Sequence, residues 1–197
     1  MRMNLNRGNY KKYMSNNPLV SMVISKFLNE IKTTLETLNV NNALDVGCGE
    51  GFVTQYLNLK NSTGIDISNN ALIFARKINK NTNFCRSSIY KLPFKDESFD
   101  LIMALEVLEH LEDPDSALCE IKRISRKYCL LSVPNEPYFR IMNLFRGKNI
   151  IRLGNDKEHI QGWTSKKFLK MLERHFEIII LKRPFPWTLV LCKKREY

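Results

Sequence analysis

Residues 43–52 read Ala-Leu-Asp-Val-Gly-Cys-Gly-Glu-Gly-Phe, an apolar run that holds one carboxylate and closes on three glycines at alternate positions. Such a run is a buried strand that turns sharply at its carboxyl end. Gly47, Gly49 and Gly51 let the backbone lie directly against a ligand with no Cβ in the way. A turn of this kind binds a nucleotide-like molecule, and its spacing separates two classes. A dinucleotide fingerprint is G-x-G-x-x-G, with a helix N-terminus facing a pyrophosphate; here the third glycine comes one residue too early. Asp45 would sit badly beside a pyrophosphate, whereas it suits a ligand that carries an ammonium group.

The remainder of the chain alternates strand and helix signals, the pattern of a parallel sheet covered on both faces. Apolar residues at helical spacing predict a helix over 18–38. Strands are expected at 43–46, 63–67, 82–85, 99–104, 129–133, 176–181 and 188–192. Helices are expected at about 51–59, at 69–78, at 114–125 and from near Ser165. Pro184 and Pro186 leave a turn too short for a crossover helix, so the final strand should run antiparallel to its neighbour. With 197 residues the chain can bury one good core and not comfortably two. Residues 1–40 read as an N-terminal lid and helix, and 41–197 as a single domain.

No run of 18 apolar residues and no apolar leader is present, so a membrane span is not expected and the location is expected to be cytoplasmic. Cys48, Cys85, Cys119, Cys129 and Cys192 are odd in number and contain no C-x-x-C pair. They read as buried thiols in a reducing compartment, with neither a disulfide framework nor a zinc site. Charge is uneven: residues 41–115 hold eleven acidic side chains against seven basic, and residues 116–197 hold eighteen basic against seven acidic. The basic surplus includes Arg140, Arg146, Lys148, Arg152, Lys166, Lys167, Lys170, Lys182 and Arg183. Such a surplus can draw in RNA, acidic lipid or a phosphorylated substrate.

The pattern Asp45-x-Gly47-x-Gly49-x-Gly51 resembles motif I of the class I S-adenosylmethionine-dependent methyltransferases. Leu92-Pro93-Phe94, Asp96 and Ser98-Phe99-Asp100 are similar to that family's LPF-x-D-x-SFD stretch, in the type 11-like branch that includes quinone-biosynthesis O-methyltransferases. The resemblance implies a Rossmann-like, doubly wound α/β sheet of seven strands with an antiparallel last strand. It also implies transfer of a methyl group from S-adenosylmethionine to an oxygen or nitrogen of a small-molecule acceptor. The implied cofactor contacts are Asp45, Gly47, Cys48, Gly49 and Gly51 at the turn, Asp66 and Ile67 at the next strand end, Ser88 and Ile89 after the third strand, and Leu105 after the fourth. Asp66 is placed to accept both ribose hydroxyls. Ser88 stands where relatives usually carry an Asp facing the adenine amino group, and a neutral acceptor makes a bond about half as strong.

Ala104-Leu105-Glu106-Val107-Leu108-Glu109-His110-Leu111 is similar to motif IV of the same branch. Glu106, Glu109 and His110 fall at i, i+3 and i+4, which on one helical turn places them on one face. Two carboxylates and an imidazole so placed could hold Mg²⁺ or Mn²⁺, or Glu106 or His110 could act as a general base. His159, followed by Trp163-Thr164, is similar to the segment that completes a Glu-Glu-His-His metal site in small-RNA 3′-end 2′-O-methyltransferases. Glu-His-Leu also resembles many methyltransferases that use no metal, so both readings stand. The alternatives to a small-molecule enzyme are a metal-assisted RNA 2′-O-methyltransferase and a catalytically silent S-adenosylmethionine-binding subunit; oligomeric state is left open. Acceptor contacts are expected from residues 9–13, as a lid, and from residues 134–154 after the fifth strand. His175 reads as a helix end without a functional role.

Overall fold

The structure is a computed structural model and describes residues 12–145, 153 and 159–195. Its elements are α1 (Pro18–Leu35), β1 (Ala43–Val46), α2 (Phe52–Leu57), β2 (Ser62–Asp66), α3 (Asn69–Ile78), β3 (Asn83–Arg86) and β4 (Phe99–Leu105). They continue with α4 (Pro114–Ile124), β5 (Ser125–Pro134), α5 (Tyr138–Phe145), α6 (Ser165–Leu172), β6 (Phe176–Lys182) and β7 (Trp187–Lys194). The seven strands form one sheet in the order β3-β2-β1-β4-β5-β7-β6. From β3 to β5 neighbours are parallel. β7 runs antiparallel to β6, as the two-proline turn requires, and also to β5.

Strand periodicity decides which core each residue joins, because successive side chains point to opposite faces. Ala43, Leu101, Met103, Leu130, Leu189 and Leu191 face α1, which contributes Val20, Ile24, Phe27, Ile31 and Leu35 at spacings of three and four. Leu44, Val46, Ile102, Ala104, Leu131 and Val133 face the other way, onto Ala117, Leu118 and Ile121 of α4 and Phe168, Met171 and Leu172 of α6. Asn17 starts α1 by accepting the Leu19 and Val20 N–H groups ahead of Pro18, and Ser68 starts α3 by accepting that of Ala71.

Two expectations change. β5 is about twice the expected length, since it begins at Ser125, the residue that ends α4, and pairs with β7 from Tyr128 to Pro134. All five cysteines are free, but Cys119 is exposed on α4 and Cys85 is half-buried, so only Cys48, Cys129 and Cys192 are the core thiols expected of the whole set.

Strand order reverses between β1 and β4, with β2 and β3 on one side and β5, β7 and β6 on the other. In an open sheet, ligands bind in the crevice outside the strands' carboxyl ends at that reversal. There the loops after β1 and β4 come together.

Candidate active site

The β1–α2 turn is held by backbone. The Gly47 and Cys48 N–H groups both donate to the Ile65 carbonyl, at 2.8 and 2.9 Å, and the Gly51 N–H donates to the Cys48 carbonyl at 2.9 Å. Gly47, Gly49 and Gly51 all have left-handed φ, +71°, +52° and +77°. A Cβ on Gly47 would lie 2.5 Å from a Val107 methyl, and one on Gly51 would lie 2.7 Å from Asn79 Nδ2. These glycines therefore serve packing as well as ligand access: Gly47 lets the loop after β4 close onto the turn.

Two carboxylates flank the turn. Asp45 is buried and accepts a 2.6 Å hydrogen bond from the Thr54 hydroxyl. Burial pushes its carboxyl up to about 7 against the lowering effect of Thr54, and the nearby Asp66 adds to the rise. Asp66 accepts the Gly49 N–H at 2.8 Å with one oxygen and the Ser68 N–H at 2.7 Å with the other. It thus pins the glycine turn to β2, a structural duty that its position in the sequence did not suggest, while each oxygen keeps further lone pairs. Ile67, beside it, is 68 % exposed. Ile89 is buried, and Ser88 Oγ accepts the Tyr90 N–H at 3.3 Å.

At the end of β4 the expected helical turn does not form. Glu106 has φ +57°, which a residue with a side chain adopts at a cost of about 1–2 kcal/mol. Only a single 3₁₀ turn, Leu108–His110, follows. Glu106, Glu109 and His110 consequently do not share a face. Glu109 points into the core, 1 % exposed, while His110 is exposed. Neither Glu109 oxygen has a hydrogen-bond partner among the described residues. Burial, and then the Glu106 charge, push its carboxyl well above the usual range.

His159 does join this region. The Ile160 and Gln161 N–H groups both donate to the Glu109 carbonyl, at 2.9 and 3.0 Å, which ties the distant segment to the loop. Glu109, His110 and His159 each bring one ligand atom to within 4.8 Å of the others. The His110 and His159 rings meet edge to face with centroids 5.0 Å apart, and Phe139 lies 5.2 Å from His159. Glu106, expected in the same set, stands outside it and instead pairs with Lys12.

Lys12 belongs to the expected lid, of which residues 9–11 lie outside the described residues. Tyr13 stacks on Phe52, the first residue of α2, at 5.2 Å. Of the segment expected to contact the acceptor, residues 146–152 and 154 also lie outside the described residues. What is described is stitched to the histidine segment, with Glu136 N–H donating to the Trp163 carbonyl at 2.7 Å and Ser165 N–H to Asn135 Oδ1 at 3.1 Å. Lys182 and Arg140 of the basic surplus are engaged by Glu30 and Glu136. His175 follows α6 and contacts Asp115 at 2.8 Å, away from the crevice. Sequence reasoning placed Lys12 in a lid without its pairing to Glu106, and it missed the contacts of Thr54 with Asp45 and of Trp187 with Lys12.

A family model described as a methyltransferase domain matches residues 44–132, the span from the glycine turn through most of β5. A ubiquinone biosynthesis O-methyltransferase of Rickettsia bellii is 30% identical over 164 residues, covering 76% of this chain and 64% of that protein. An uncharacterized methyltransferase of Schizosaccharomyces pombe is 39% identical over 99 residues, covering 42% and 35%. The chain thus spans less than two thirds of the length of either relative. Among solved structures, a magnesium protoporphyrin IX methyltransferase from Synechocystis superposes with a TM-score of 0.69 at 16% identity, covering 94% of this chain and 92% of that one. At that identity the likeness is one of fold.

Proposed function

Because this chain belongs to the class I S-adenosylmethionine-dependent methyltransferases, we propose that it transfers a methyl group from S-adenosylmethionine to an oxygen or nitrogen of a small molecule. The observation that carries this reading is the glycine turn at the β1–β4 reversal with Asp45 beneath it. A buried carboxyl raised to about 7 is stabilised in its ionised form by a cationic partner, and the left-handed glycines leave the backbone open to close approach. The residues present therefore fit the cofactor. Asp45 and the Gly47–Gly51 backbone would hold its amino-acid end, Asp66 its ribose, and Ile67, Ser88 and Ile89 its base, with Cys48 and Leu105 lining the approach.

When bound, the cofactor supplies a methyl group already activated on a sulfonium. The chain then has to align an acceptor, and well-oriented groups reach effective molarities of about 10⁵ M or more. Of the residues in the loop after β4, exposed His110, or Glu106 released from its pair with Lys12, would take the acceptor's proton. A chain that binds no S-adenosylmethionine by calorimetry, and is not protected by it against thermal unfolding, would overturn this reading. Incubation with labelled cofactor and fractionated small-molecule and RNA extracts identifies the acceptor. Binding without transfer to any fraction would favour a silent subunit.

A second reading is favoured by Glu109, His110 and His159. A buried carboxylate with both oxygens unpartnered among the described residues, beside two imidazoles, fits a divalent cation. With Glu106 outside the set, one oxygen and two nitrogen donors suit Mn²⁺ better than Mg²⁺, which prefers oxygen throughout. Such an ion would draw together two neighbouring acceptor oxygens and lower the pKa of the one methylated. Activity unchanged in excess chelator would exclude it.

A further inference from the structure

Lys12 carries a charge that neither the glycine turn nor the histidine cluster uses. Its ammonium group pairs with Glu106 and lies over three rings, 4.8 Å from the centroid of Trp187, 5.4 Å from Tyr13 and 5.9 Å from Phe27. Trp187 and Phe27 stack at 4.5 Å and are fully buried, so two walls of this cage are rigid. Tyr13 is anchored on Phe52 at the start of α2, while Lys12 pairs with Glu106 after β4, so this segment joins the β1 and β4 sides of the reversal. The Tyr13 hydroxyl is pushed well up, first by burial and then by Glu106, Asp45 and Glu50. This segment therefore lies in the field of carboxylates from both sides of the reversal.

A ligand that brings positive charge to this point meets opposing contributions, attraction by Glu106 and repulsion by Lys12. A neutral ligand of the same shape meets neither. The lysine cannot swing away cheaply, because leaving would break the ion pair and three cation–π contacts together. With 21 % and 17 % of the two side chains exposed, solvent screens their charges less than those of a surface pair.

We propose that the Lys12–Glu106 pair sets how strongly the site distinguishes the sulfonium cofactor from its neutral thioether product, S-adenosylhomocysteine. Lys12 lowers the preference for the charged form and Glu106 raises it. The inference rests on the crevice being the S-adenosylmethionine site. It makes Lys12 a specificity-determining residue for the cofactor. When the methyl group leaves, sulfur keeps the bonding electron pair and loses its positive charge, so the repulsion from Lys12 disappears in the forward direction.

Calorimetric titration of the whole chain with each of the two ligands tests this without any acceptor. Lys12→Met should raise the affinity ratio of S-adenosylmethionine to S-adenosylhomocysteine about tenfold, mostly by tightening the former. Lys12→Arg, which keeps the charge, should leave the ratio within about threefold of the native value. Glu106→Gln should lower the ratio about tenfold, because Lys12 then acts unopposed. A purely structural role would move both ligands together, so equal shifts for both, or no shift, in Lys12→Met overturns the proposal. If the native chain binds both ligands and only the ratios fail to move, the cofactor assignment survives alone. If the native chain binds neither, both fall.

Discussion

The two halves of the crevice are built in opposite ways. The turn after β1 is made by backbone within one short stretch: left-handed glycines, N–H groups satisfied by Ile65 and Cys48, and an Asp66 carboxylate that holds Gly49. The region after β4 is made by side chains from across the chain, with Lys12, Glu106, Glu109, His110, His159 and Trp187 meeting there. One half is internally satisfied; the other keeps a buried carboxylate without a hydrogen-bond partner among the described residues, and a residue with side chain at positive φ. Strain and unpaired polar groups persist where a function requires them. The first half is thus set by backbone geometry over a short stretch, and the second by long-range side-chain contacts.

The strongest way to break this comparison is at a point where the halves touch. Gly47→Val places a branched side chain at φ +71° and in contact with Val107, so it should cost about 3 kcal/mol or more in stability and about 100-fold or more in cofactor affinity. Thermal denaturation and calorimetry check both, and cofactor affinity within threefold of native would show that the turn is not the binding element. Glu109→Gln and His159→Ala act on the other half alone. Each should weaken Mn²⁺ binding about 100-fold, followed by the ion's paramagnetic resonance, while S-adenosylmethionine affinity stays within about threefold. Equal losses of both ligands would join what the comparison separates.

The same contrast explains what was legible in the sequence. The sharp turn at Gly47 to Gly51, the strand at 43–46 and the helix at 69–78 are local patterns, and each is found as read. Nothing in Leu-Glu-Val-Leu-Glu-His marks a left-handed residue, because glutamate is not a residue that favours positive φ. Helical spacing therefore placed Glu106 with Glu109, and one backbone torsion separates them. Lys12 meets Glu106 across 94 positions. The run Asn9-Tyr10-Lys11-Lys12-Tyr13 signalled an aromatic and basic lid, but no local rule pairs Lys12 with Glu106 and Trp187.

Asp45 gives a smaller effect that sharpens the account of the first half. Its folded-state pKa of about 7 lies above the ordinary 3.8, so its contribution to the stability of the free chain is complete below 3.8 and is lost as pH rises through about 7. A cationic ligand prefers the ionised form, so affinity should rise through the same window and binding below about pH 7 should release a proton. Titrations in buffers of different ionisation enthalpy measure that proton. Asp45→Asn should lower affinity about tenfold at pH 8 and remove both the proton release and the pH dependence.

Thr54→Val should give the smallest change and the most specific one. The Thr54 hydroxyl donates to Asp45 at 2.6 Å inside the core and holds the carboxyl below where burial alone would put it. Removing it at pH 5.5, where Asp45 is protonated, should cost about 1 kcal/mol, the worth of one neutral hydrogen bond. At pH 8 the cost should be larger, because a buried carboxylate loses its donor. The midpoint of the affinity-against-pH curve should then move upward by about one unit, which corresponds to about 1.4 kcal/mol of lost preference for the ionised form. A midpoint that stays in place after Thr54→Val would mean that the titrating group is not Asp45, and the charge beneath the glycine turn would have to come from another residue.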